Sequence, residues 1–102
     1  MIQVTVFVPL SHKEQVKEAM FEAGGGKVGN YDCCCFEQTG IGQFRPLIGS
    51  QAFVGKLNEI EKVEEVRIEM ICDEASYASV IAAMKSAHPY ETPAYYGIKI
   101  LG

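Results

Sequence analysis

An α+β sandwich, a four-stranded antiparallel sheet with two helices on one face, is what this chain predicts on three observations. Its elements run strand-helix-strand and then strand-helix-strand again, a weak internal duplication. Each helical stretch carries an apolar stripe on one side only, so both must lean on something. The strand segments alternate apolar and polar residues with period two, the signature of a half-buried sheet. Two such units interleave as a split βαβ, ferredoxin-like fold, and right-handed crossovers remove most rival topologies.

Ile2 to Val8 alternates and is rich in β-branched residues, so it predicts a strand that Pro9 ends. Ser11-His12-Lys13-Glu14 has capping-box form, with Ser11 as N-cap and Glu14 reaching back to its amide. Val16, Ala19, Met20 and Ala23 follow at helical spacing until Gly24-Gly25-Gly26 stops the helix. Tyr31 to Gln38 reads as the second strand, flanked by Gly29-Asn30 and Thr39-Gly40. From Thr39 to Gly55 the chain is punctuated by glycines and Pro46; that length marks a functional segment, a packed loop or a hairpin extension. Leu57 to Glu65 fits a turn or a short helix. Glu64 to Cys72 is the third strand, with Val66, Ile68 and Met70 on one face and Arg67, Glu69 and Ile71 on the other. Asp73 is placed to N-cap a helix whose stripe is Tyr77, Val80, Ile81 and Met84 and which ends near Ala87. Tyr95 to Leu101 closes the chain as the fourth strand. No helix covers the second sheet face, where Phe7, Ile71 and one or both of Cys33 and Cys35 would project; such a surface wants a partner.

The 102 residues make one domain, 1–102, of ordinary globular composition, with 48% hydrophobic and 22% charged residues. The net charge of −4, from 9 basic against 13 acidic residues, leaves no basic stripe for a nucleic-acid backbone. The N-terminus lacks the positive region and cleavage site of a signal peptide, and no apolar run reaches the roughly 18 residues of a membrane span. The expectation is a cytoplasmic protein, with neither nucleic acid nor membrane as partner. Its four cysteines are then thiols.

The densest chemistry lies in His88-Pro89-Tyr90-Glu91-Thr92-Pro93-Ala94-Tyr95, where two prolines hold the path of an imidazole, a carboxylate and two phenols. His88, Tyr90, Glu91 and Tyr95, with Phe44 and Arg45 from the glycine-punctuated stretch, are the candidate ligand-binding residues. A metal set is the alternative: Cys33 and Cys35 as soft ligands at Cys-x-Cys spacing, with His88 and Glu91, for a divalent cation or copper. Against it, His88 suits a helix end and buried cysteines pack as small hydrophobes. The glycine stretches match neither a P-loop nor a dinucleotide fingerprint, and no Ser-His-Asp series exists.

Gly29-Asn30-Tyr31-Asp32, Cys34, Phe36, Gly40-Ile41-Gly42-Gln43-Phe44-Arg45-Pro46, Gly49, Val63-Glu64-Glu65-Val66-Arg67-Ile68-Glu69 and His88-Pro89-Tyr90-Glu91 form an ordered series. It resembles the inserted domain of the NGG-interacting-factor-three-like proteins, also called type 2 GTP cyclohydrolase I-like, over nearly the whole chain. The resemblance implies a domain similar to the PII and CutA proteins, and with it a homo-oligomer, a trimer before a dimer. In full-length family members the two-metal site lies in flanking domains, so the resemblance carries no metal ligand onto this chain. The function expected is a non-enzymatic, self-associating regulatory or small-ligand-binding module without a cofactor, receiving a small ligand or a protein. The alternative is a CutA-like metal-binding protein.

Overall fold

Strand β1 (Ile2–Pro9) is central because alternate residues bury completely: Val4, Val6 and Val8 are inaccessible to solvent. The computed structural model describes all residues, 1–102. After a single 3-10 turn (Leu10–His12), helix α1 (Lys13–Glu22) buries Val16 and Met20. Strands β2 (Phe36–Phe44) and β3 (Glu61–Cys72) form a long hairpin, followed by helix α2 (Glu74–Ala87) and strand β4 (Tyr95–Lys99). The sheet order is β2-β3-β1-β4, all antiparallel. This is the α+β, split-βαβ sandwich expected of the sequence.

Register sets the faces. Val4, Val6 and Val8 pair with Met70, Ile68 and Val66, and this side meets Val16 and Met20 of α1 and Val80, Ile81 and Met84 of α2 in one core cluster. Each such side chain contributes about 1.5–3 kcal/mol through its removal from water. Gln3, Thr5 and Phe7 lie on the opposite face with Ile71, Glu69 and Arg67. No helix in the fold is long and apolar enough to cross a membrane.

Five local expectations are corrected or resolved. The second strand is Phe36–Phe44, not Tyr31 to Gln38: Cys33 sits in the left-handed region (φ 55°), which breaks an extended path, and Val28 and Tyr31 instead bridge across a tight turn. Cys33 and Cys35 therefore belong to a loop and not to the open sheet face. The capping box does not form, because the Ser11 hydroxyl bonds His12 Nδ1 (2.8 Å) and Glu14 turns to Lys17 (3.1 Å). Asp73 does occupy the N-cap of α2, but its backbone carbonyl accepts the Ser76 amide while its side chain makes no capping bond. The glycine-punctuated stretch resolves as the hairpin extension, with β2 running through Gly40 and Gly42. Gly42 is tolerated there because the Glu65 carboxylate occupies the space a Cβ would fill. Finally, β4 stops at Lys99, although the Ile100 amide still reaches the Met1 carbonyl (3.1 Å).

Candidate functional site

The prolines around Tyr90 do what the sequence suggests: they stop α2 and carry the chain across the end of the sheet. His88, the first residue past α2, is buried, and both ring nitrogens are in use. Nε2–H donates to the Phe7 carbonyl (2.7 Å), and Nδ1 accepts the Tyr90 amide (3.1 Å). That pair of bonds requires the neutral ring with its proton on Nε2. Burial pushes the imidazole below its ordinary pKa, partly opposed by the Phe7 carbonyl and by Glu65.

Tyr90 lies over His88, ring centroids 5.0 Å apart, and its hydroxyl donates to Glu65 Oε2 at 2.8 Å. Burial first, then the bond to Glu65 and its negative charge, drive the phenol well above its usual pKa, so it stays protonated. The segment is also tied to the hairpin loop, where the Gln51 amide donates to Glu91 Oε1 (2.9 Å). The loop returns on itself through the Asn58 amide, which donates to the carbonyl of buried Pro46 (2.7 Å).

These ties leave a cleft of about 550 Å³ between the hairpin end and the 88–94 segment. Phe44, Phe53 and Tyr90 wall it: the Tyr90 ring is 5.9 Å from Phe44 and 6.2 Å from Phe53, tilted by 59° and 50°. Glu65 and Glu91 supply carboxylates, and Arg45 stands at the exposed rim. A size between 300 and 1,000 Å³, apolar walls and a few fixed polar groups are the ordinary properties of a small-molecule site. A second, shallower cleft of about 380 Å³ lies on the open sheet face and shares the Glu65 wall; Phe7, Gln38 and Arg67 also line it. There Arg67 donates to Gln38 Oε1 (2.9 Å) and approaches Glu69 (3.4 Å).

Of the six residues expected to bind a ligand, the structure brings Phe44, Arg45, Tyr90 and Glu91 together. His88 backs the cleft as a buried support. Tyr95 is elsewhere: it pairs with Val6, on the helix side of the sheet, and its ring carries Lys85 Nζ 5.1 Å above the centroid. The residues missed are Phe53 and Glu65. Glu65 had two signals, period two from Arg67, which puts it on the open face, and its place in the Val63 to Glu69 motif; Phe53 lies in a loop without periodicity and had none.

The metal set is not assembled. No three His, Cys, Asp or Glu side chains converge as a metal site. His88 has no free nitrogen, Glu91 holds the Gln51 amide, and Cys33 and Cys35 are exposed in a loop, neither packed as small hydrophobes nor gathered with the other two. All four cysteines are free.

Known proteins place this geometry. A "GTP cyclohydrolase 1 type 2 homolog" of Halalkalibacterium halodurans is 47% identical over 93 residues, 91% of this chain and 25% of that protein. A Bacillus cereus protein related to NIF3 superposes with a TM-score of 0.81 at 44% identity, over 94% of this chain and 24% of the other. The chain matches the inserted domain of the NIF3-related proteins. It spans about a quarter of the length of those relatives. No family model matches it. At the level of fold alone, the PII-like protein CutA from Nostoc sp. PCC 7120 gives a TM-score of 0.70 at 16% identity, covering 98% of this chain and 81% of that one. The chain thus has the CutA/PII-like fold.

Proposed function

We propose that this NIF3-type domain is a non-enzymatic ligand-binding module that self-associates, as three copies in preference to two, and works in the cytosol. The observation that carries the reading is the Tyr90–Glu65 hydrogen bond, which fixes an aromatic-walled cleft in place before any ligand arrives. Preorganisation of that kind lowers the ordering cost of binding. The same bonds weigh against turnover. His88 spends both nitrogens on backbone and Tyr90 holds its proton tightly, so neither is poised as a general base. The cyclohydrolase name belongs to relatives about four times longer, in which this quarter would recognise and the remainder would react.

Self-association rests on the open sheet face. Phe36, Tyr96 and Ile98 are about half exposed or more beside the half-buried Phe7 and Ile71, an apolar band on an uncovered sheet. Two measurements test the proposal. Light scattering at micromolar concentration should give a trimer's mass, and Ile98→Glu should reduce it; a monomeric parent protein removes the assembly reading. The neutral dye Nile red should bind Ile98→Glu protein at one site and lose that site in Phe53→Ala. Equal binding to both removes the cleft.

A further inference from the structure

We infer that the cleft is an aromatic cage for an alkylated ammonium group. This deepens the ligand-binding reading and rests on it.

Three rings from three different segments face one volume: Phe44 at the end of β2, Phe53 from the hairpin loop and Tyr90 from the segment before β4. Their tilts of 59° and 50° about Tyr90 rule out a parallel stack, and all three rings line the same cleft. Ring faces carry negative charge density and attract a cation placed within about 6 Å of a centroid. Core packing does not account for the arrangement, because Phe53 remains 53% exposed. The ring is propped at its position by His12, which meets it edge-on at 5.5 Å and 85°.

Charge selects among apolar occupants. Glu65 stands in the wall with one oxygen bound by the Tyr90 hydroxyl, and an ionised carboxylate still has lone pairs on both oxygens. Glu91 adds a second carboxylate, held by the Gln51 amide. Two carboxylates lining the same cleft as three rings favour an organic cation and disfavour an anion such as a phosphate. An alkylated ammonium is more weakly hydrated than a metal ion or a bare ammonium, so it enters an apolar pocket at smaller desolvation cost. Arg45, the one cation lining the cleft, is exposed to solvent and faces two lining carboxylates, so the balance stays negative. The phenol supports the assignment: its hydroxyl is already spent on Glu65 in the cleft wall, so the ring and not a free polar tip is left for the occupant.

The test is an NMR titration of the full chain with choline and with its neutral carbon isostere, 3,3-dimethylbutan-1-ol. Choline should bind at least about tenfold more tightly than the isostere, the size expected of a cation–π cage. Glu65→Gln, which keeps an acceptor for Tyr90, should remove most of that preference, and Phe53→Ala should weaken choline about tenfold. The trimethyllysine derivative Nα-acetyl-trimethyllysine methylamide forms a parallel arm. Tighter binding of choline assigns a free solute, and tighter binding of the derivative assigns a modified side chain. Equal affinity for choline and isostere, or no binding of any of the three, overturns the cage. Nile red binding lost in Phe53→Ala would then leave the cleft standing as a site for a neutral ligand. If the dye fails as well, both readings fall.

Discussion

Replacing His88 by alanine isolates the support on which the cleft is built. The imidazole satisfies the Phe7 carbonyl and the Tyr90 amide, at 2.7 and 3.1 Å, inside a residue only 6% exposed. His88→Ala leaves both backbone groups without a partner, and each such group costs about 1–3 kcal/mol, so the loss is about 2–6 kcal/mol. Against the 5–15 kcal/mol typical of a domain, that is a large fraction. Urea unfolding followed by far-UV circular dichroism at pH 7.5 measures it directly. The pH dependence gives an independent check on the unaltered protein. Because the folded-state pKa lies below the ordinary 6.5, the unfolded chain binds more protons between the two values. Stability is therefore fully present above about pH 6.5, falls as the pH drops below it, and levels off below the folded pKa. A His12→Gln background leaves His88 as the sole histidine, and there the fall should persist, whereas His88→Ala should abolish it. A loss below about 0.5 kcal/mol at pH 7.5, or a flat profile from pH 7 to 5 in the His12→Gln protein, refutes the doubly bonded neutral ring.

Other outcomes follow from packing and charge. Gly26→Ala should cost about 2–5 kcal/mol in urea unfolding, since φ is +74° and a Cβ would lie 2.7 Å from the Cys34 carbonyl oxygen; Gly29→Ala, with open space around it at φ +56°, should cost only about 1–2 kcal/mol. Ile68→Ala, in the middle of the core and inaccessible to solvent, should lose about 2–5 kcal/mol and lower the calorimetric Tm by at least about 8 °C. Glu37 accepts from Lys13 (2.8 Å) and Lys17 (3.0 Å), and those bonds hold its carboxyl below the usual range. Its contribution, no more than about 1 kcal/mol for a partly exposed group, should be present above pH 4.5 and vanish as acid protonates it. Double-mutant cycles with Glu37→Gln at low and high salt would measure that contribution.

Elements whose own residues carried the pattern were legible in the sequence. Helix α2 ends at Ala87 as its stripe predicts, and β3 presents Val66, Ile68 and Met70 to the helices as period two requires. Strand β2 was displaced because its interior glycines look like breakers, whereas Gly42 is there to admit the Glu65 side chain from the neighbouring strand. A space requirement set by a residue 23 positions away leaves no local trace. The cleft was half legible for the same reason. Tyr90 and Glu91 stood out because two prolines framed them, and Phe44 and Arg45 because they belong to the glycine-punctuated run. Phe53 reaches the cleft through the loop path held by the Gln51–Glu91 bond, and Glu65 through strand pairing, both of which are tertiary facts. Tyr95 was misplaced by a single step of strand parity, which sends alternate residues to opposite faces.

The Ile100 amide resting on the Met1 carbonyl means that the first and last strands finish shoulder to shoulder at one corner. A polypeptide running in through one and out through the other would meet this unit as a knob on a narrow stem. The knob could be grafted into a surface turn of a host domain without prying that host apart, with its cleft, set at the hairpin end, left facing outward.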